Sequence, residues 1–150
     1  MESGLLLMVV DDCPADLYSS ERAIRDATGF GDVLMATNGV STLEVLEERI
    51  GQELDPPALI FLDLRMPEMN GFEFLIEFER LYPSTTTQVV VLSGTDHPVE
   101  KTHALEHECV VGYSVKPVQV KDVEHHIEKW VSEHVMGVDG SRASLLPVAG

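Results

Sequence analysis

Ala58-Leu59-Ile60-Phe61-Leu62-Asp63 is the stretch on which the fold turns. An unbroken apolar run, preceded by Pro56-Pro57 and ended by a carboxylate, reads as a strand buried on both faces. Strands of that kind belong to parallel sheets covered by helices. The same signature appears at Leu5-Leu6-Leu7-Met8-Val9-Val10, which ends on Asp11-Asp12. Shorter runs follow at 33–36, 89–92 and 110–115.

Helical patterns fill the gaps. Pro14 suits a first helical turn, and Leu17, Ile24 and Ala27 recur at helical spacing up to Gly29 and Gly31. Asn38-Gly39 opens a second helix with Leu43, Leu46 and Ile50 on one face. Asn70-Gly71 opens a third, rich in Phe and Leu, over 72–81. Pro98 starts a fourth over 98–108, whose apolar residues are nearly confined to Val99, Ala104 and Leu105. The fifth carries Val120, Val123, Ile127 and Trp130 at 3.6-residue spacing. Strand–helix alternation of this length predicts an α/β fold: a doubly wound, five-stranded parallel sheet with five helices. The expected domain spans 1–136, and the small residues of 137–150 read as a flexible C-terminal tail with no output domain.

Composition narrows the function. The 150 residues carry 26 acids against 10 bases, a formal net charge of −16. Such a surface repels phosphate backbones and anionic lipid heads, so no nucleic-acid and no membrane partner is expected. No apolar run approaches the roughly 20 residues of a membrane span, and no secretory signal is expected, since 1–10 lack a basic region followed by a long apolar stretch. Cys13 and Cys109 fall at opposite ends of the predicted sheet and read as free thiols in a reducing cytoplasm.

In doubly wound sheets, ligands bind at the carboxyl ends of the strands. The residues found there are Asp11-Asp12, Asp63, Ser93 and Lys116. Clustered carboxylates repel one another, and a hard divalent cation relieves the repulsion; oxygen ligands favour Mg2+, with Mn2+ also admissible. Asp63 is then a candidate nucleophile toward a phosphoryl group, forming an acyl phosphate. Lys116 supplies a second cationic clamp, Ser93 a hydroxyl donor, and Gly94 leaves the approach open.

Taken together these residues resemble a response-regulator receiver domain of the CheY-like superfamily. The likeness rests on Val9-Val10-Asp11-Asp12, the stretch Leu62-Asp63-Leu64-Arg65-Met66-Pro67-Glu68-Met69-Asn70-Gly71, Leu92-Ser93-Gly94, and Gly112-Tyr113-Ser114-Val115-Lys116-Pro117. The resemblance implies a flavodoxin-like strand order, 2-1-3-4-5. It implies Asp63 as phosphoacceptor, Asp12 as a direct metal ligand, Asp11 acting through bound water, and a backbone carbonyl ligand at Arg65. It also implies Lys116 as the phosphate contact, Ser93 as the switch hydroxyl and Tyr113 as the aromatic switch. Met66-Pro67 and Gly71 match the loop that shapes the pocket. Ser in place of Thr at position 93, and Cys13-Pro14 after the acid pair, depart from the commonest pattern.

The implied protein is a single-domain response regulator of a two-component system or phosphorelay, and not an enzyme beyond its own phosphorylation and dephosphorylation. Its implied partners are a sensor histidine kinase or histidine phosphotransfer protein and a downstream protein target, as a monomer or weak homodimer. Two alternatives stand beside it. A magnesium-dependent aspartyl phosphatase usually places a general acid two residues after its nucleophile, where Arg65 stands here. A pseudo-receiver binds partners without phosphorylation. His103 and His107 have metal-ligand spacing but no third ligand, and read as a solvated face.

Overall fold

The computed structural model describes residues 5–29 and 32–136. The proposed tail at 137–150 lies outside them. The apolar runs form strands β1 (Leu7–Val10), β2 (Val33–Ala36), β3 (Leu59–Asp63), β4 (Gln88–Ser93) and β5 (Val110–Val115). The intervening patterns form helices α1 (Pro14–Thr28), α2 (Gly39–Gly51), α3 (Gly71–Leu81), α4 (Pro98–Leu105) and α5 (Val120–Val131). The strands pair in parallel in the order β2-β1-β3-β4-β5, the flavodoxin-like order implied above.

Period-two alternation sorts the central strands onto two cores. Met8, Val10, Ile60, Leu62, Val89 and Val91 meet Leu46, Phe74, Phe78 and Ala104 of α2, α3 and α4. Leu7, Val9, Leu59, Phe61, Val90 and Leu92 meet Ala23, Ile24 and Val123 of α1 and α5. Burial of side chains such as Phe61, Phe74 and Phe78 stabilises the fold by about 1.5–3 kcal/mol each.

Local chemistry sets the helix starts. Asn38 and Asn70 each cap a helix through a reciprocal capping box, with Ser41 and Glu73 respectively. Gly71 is required by close approach: a Cβ there would lie 2.6 Å from the Leu64 Cα. This packs the start of α3 against the chain leaving β3.

Three details differ from the sequence reading. Ile50 sits in the last turn of α2 beyond the packed stretch and is 47% exposed. The fourth helix ends at Leu105 instead of Glu108, because Glu106 and His107 donate to carbonyls three residues back and tighten the chain into turns. Between β4 and β5 the register shifts: Val89 pairs with Val110, but Val90 pairs with Gly112, leaving Val111 as an extra residue.

Candidate functional site at the carboxyl ends of the strands

Register brings the site together. Val10 lies opposite Leu62, so the next residues, Asp11 and Asp63, emerge side by side from β1 and β3. Asp63 lies opposite Leu92 on β4, and Ser93 lies opposite Val115 on β5. The Lys116 N–H then donates to the Ser93 carbonyl at 2.7 Å, which fixes the lysine at the end of β5 beside β4. The Lys116–Pro117 peptide is cis.

Asp11, Asp12 and Asp63 each present a carboxylate oxygen within 4.8 Å of the others. Among the described residues this is the only such group of three or more metal-ligating side chains. Asp11 and Asp63 are buried and Asp12 is exposed, so the cluster opens to solvent on one side. Asp11 Oδ1 accepts from the Cys13 N–H at 3.0 Å, while Asp11 Oδ2 has no hydrogen-bond partner apart from its ion pair with Lys116. A compact set of three carboxylates, open to solvent at one side, fits a hard divalent cation.

Among the described residues, Lys116 is the cation at the centre. Its Nζ lies 2.7 Å from Asp11 Oδ2, 3.1 Å from Asp16 Oδ2 and 3.4 Å from Asp63 Oδ1. Burial opposes its charge, but hydrogen bonds to Asp11 and Asp16 and the Asp63 charge hold it above the ordinary ammonium range. Asp63 shows the reverse balance. Burial and the Asp11 charge push its carboxyl above the usual range, against the pull of Lys116 and the Arg65 backbone N–H.

On the β4 side, Ser93 Oγ donates to Glu100 Oε1 at 3.1 Å and accepts from the Thr95 N–H at 3.3 Å. The Tyr113 hydroxyl lies 3.0 Å from both the Thr95 carbonyl oxygen and Glu100 Oε1. Burial and Glu100 raise the Tyr113 hydroxyl above the ordinary phenol range, against Ser93, so it is a donor at neutral pH. Arg65 directs its guanidinium to Glu100 Oε2 at 2.9 Å. Gly94 has open space where a side chain would stand. A hollow of about 370 Å³ beside the lysine is lined by Asp16, Ser19, Ser20, Gly94, Lys116 and Pro117.

Every predicted site residue thus lies at this edge. Sequence reasoning missed Asp16 and Glu100, which hold Lys116 and the Ser93–Tyr113 pair. Both follow the same local pattern, a proline at the first helical position and an acid two residues later. The histidine reading needs correction in part. His103 is exposed and stacks on Phe72, but His107 is largely covered and bonds Glu79 at 2.9 Å. The short α4 ends before His107 and the following turn swings its ring toward α3. Both cysteines are free, and burial beside Glu79 raises the Cys109 thiol far above its ordinary range. Among the described residues no helix is long and apolar enough to cross a membrane.

A family model described as the response regulator receiver domain matches residues 7–128. The chain is 32% identical over 117 residues to the nitrate/nitrite response regulator NarL of Escherichia coli, covering 78% of this chain and 50% of NarL. It is 27% identical over 121 residues to the response regulator Rcp1 of Synechocystis, covering 79% and 80% of the two chains. Several other curated relatives are spanned over only about a third to a half of their length. The crystal structure of a two-component response regulator from Cytophaga hutchinsonii matches with a TM-score of 0.79 at 22% identity, over 85% of this chain and 97% of that one, and so shares its fold. With its fold, its strand-edge carboxylates and this family match, the chain belongs to the response regulator receiver domain family.

Proposed function

We propose that this chain is a phosphorylation-controlled switch in which Asp63 accepts a phosphoryl group from a histidine kinase or a histidine phosphotransfer protein. The observation that carries this reading is Asp63 itself: a buried carboxylate clustered with Asp11 and Asp12, with the Lys116 ammonium 3.4 Å away. A carboxylate oxygen of Asp63 attacks phosphorus, the bond from phosphorus to the donor imidazole nitrogen breaks, and its electron pair stays on that nitrogen. The product is an acyl phosphate.

Asp11, Asp12, Asp63 and the Arg65 carbonyl are the groups that would hold Mg2+, or Mn2+. The cation, when bound, neutralises charge on the phosphoryl oxygens. Lys116 would contact a phosphoryl oxygen, and Ser93 would donate to a remaining one. Tyr113 follows Ser93. The exposed Arg65 side chain stands where an aspartyl phosphatase keeps its general acid, and it is engaged with Glu100. That favours storage of a signal over turnover.

The working unit is the segment 1–136, acting in the cytoplasm through a protein target, without nucleic acid or membrane and as a monomer or weak homodimer. Its only catalysis is of its own phosphorylation and dephosphorylation. Incubation with acetyl phosphate and Mg2+, followed by intact-mass measurement, tests the reading. The expected gain is one phosphoryl group, absent in Asp63→Asn. A gain that persists in Asp63→Asn overturns it.

A further inference from the structure

We propose that Glu100 is a positioning residue, an acidic latch that holds the Ser93 hydroxyl away from the Asp63 phosphoryl site until phosphorylation displaces it. The proposal rests on the phosphoacceptor reading above. Glu100 is the third residue of α4, a position from which a glutamate commonly reaches back to its own helix cap. Here its carboxylate meets three donors from other elements. Oε1 lies 3.1 Å from Ser93 Oγ and 3.0 Å from the Tyr113 hydroxyl, and Oε2 lies 2.9 Å from Arg65. Its side chain is only 13% exposed.

Proton counting makes the arrangement exclusive. A serine hydroxyl has one proton to donate. That of Ser93 is directed at Glu100, while one of its two lone pairs accepts the Thr95 N–H. A phosphoryl oxygen on Asp63 needs the same proton, so the two anions compete for one donor. Tyr113 is held through the same Glu100 oxygen. Release of Glu100 therefore frees the Ser93 proton and loosens Tyr113, which keeps its contact with the Thr95 carbonyl. Arg65, two residues beyond Asp63, ties the latch to the chain leaving β3, although its exposed ion pair adds little by itself.

The test uses beryllofluoride with Mg2+ as the phosphoryl mimic, titrated by 19F NMR against the parent chain, Glu100→Gln, Ser93→Ala and the double variant. Glutamine keeps the size of the latch but loses the charge-assisted bond, so Glu100→Gln is expected to tighten beryllofluoride binding about tenfold. In the Ser93→Ala background the gain should vanish, because the contested proton is gone. A gain of equal size in that background reflects loss of a nearby negative charge and overturns the latch, as does an unchanged or weaker affinity in Glu100→Gln. Failure of the parent chain to bind beryllofluoride overturns the phosphoacceptor reading and the latch together. Binding by the parent that also survives in Asp63→Asn does the same.

Discussion

Replacing Lys116 by methionine removes the ammonium paired with Asp11, Asp16 and Asp63 while keeping most of the stem volume. Nζ lies within 2.7 Å of Asp11 and 3.4 Å of Asp63, whose side chains are 0% and 7% exposed. Removing one partner of a buried ion pair costs about 3–5 kcal/mol, because the remaining charge is left uncompensated. The lower end applies here, since Asp11 keeps the Cys13 N–H and Asp63 keeps the Arg65 N–H. For a chain of this size about 3 kcal/mol corresponds to a fall in Tm of roughly 6–12 °C. The sign of the pH dependence follows from Asp63. Its carboxyl is already raised by burial and by Asp11, and loss of Lys116 raises it further. A raised carboxyl contributes stability at low pH that is lost as pH rises through its folded pKa. The penalty should thus be full at neutral pH and shrink on acidification, and Mg2+ should restore part of it. Urea unfolding followed by Trp130 fluorescence, in a chelator and then in Mg2+, measures this. An unchanged midpoint at neutral pH, or a penalty that grows on acidification, would refute the reasoning.

Further outcomes follow from other sites. Burial works to raise Glu79, but the His107 bond and the Cys109 N–H outweigh it and hold the carboxyl below its usual range. Glu79→Gln should therefore cost at most about 1 kcal/mol near neutral pH, a difference lost as pH falls through the depressed pKa; denaturant midpoints at two pH values check this. Gly71→Ala drives a Cβ onto the Leu64 backbone and should destabilise by about 1–3 kcal/mol while weakening Mg2+ binding. Calorimetry of Mg2+ binding beside thermal unfolding reads both. Asn70→Ala removes the cap of α3 and should cost about 1 kcal/mol with little change in Mg2+ affinity.

The fold was legible because both faces of the central strands are covered. Full coverage turns residues 58–62 into an unbroken apolar run, and each run then points to its own end. Asp11, Asp12, Asp63, Ser93 and Lys116 were legible for the same reason. Asp16 and Glu100 were not, because an acid in the first turn of a helix is already accounted for by the helix dipole. Only the third dimension shows that these two reach across to Lys116 and to Ser93. The end of α4 was equally hidden. Little in residues 104–108 forbids another helical turn, and the choice is made by His107 reaching Glu79 on α3.

The extra residue in β5 has a consequence of phase. Alternation counted straight through the strand assigns Val110 and Tyr113 to opposite faces, yet both pack with the α2–α4 side. Val111 packs on the other side, and a Cβ on Gly112 would strike the His126 ring of α5. The inserted residue absorbs one count, so Tyr113 comes out beside Thr95 and Glu100. Excising Val111 would leave 112–116 in step with β4 and spare the site. Excising Ser114 instead would pull the next residues back by one, turning Lys116 away from the carboxylates it neutralises. One strand thus contains a position where a residue can be lost and another, three residues on, where it cannot.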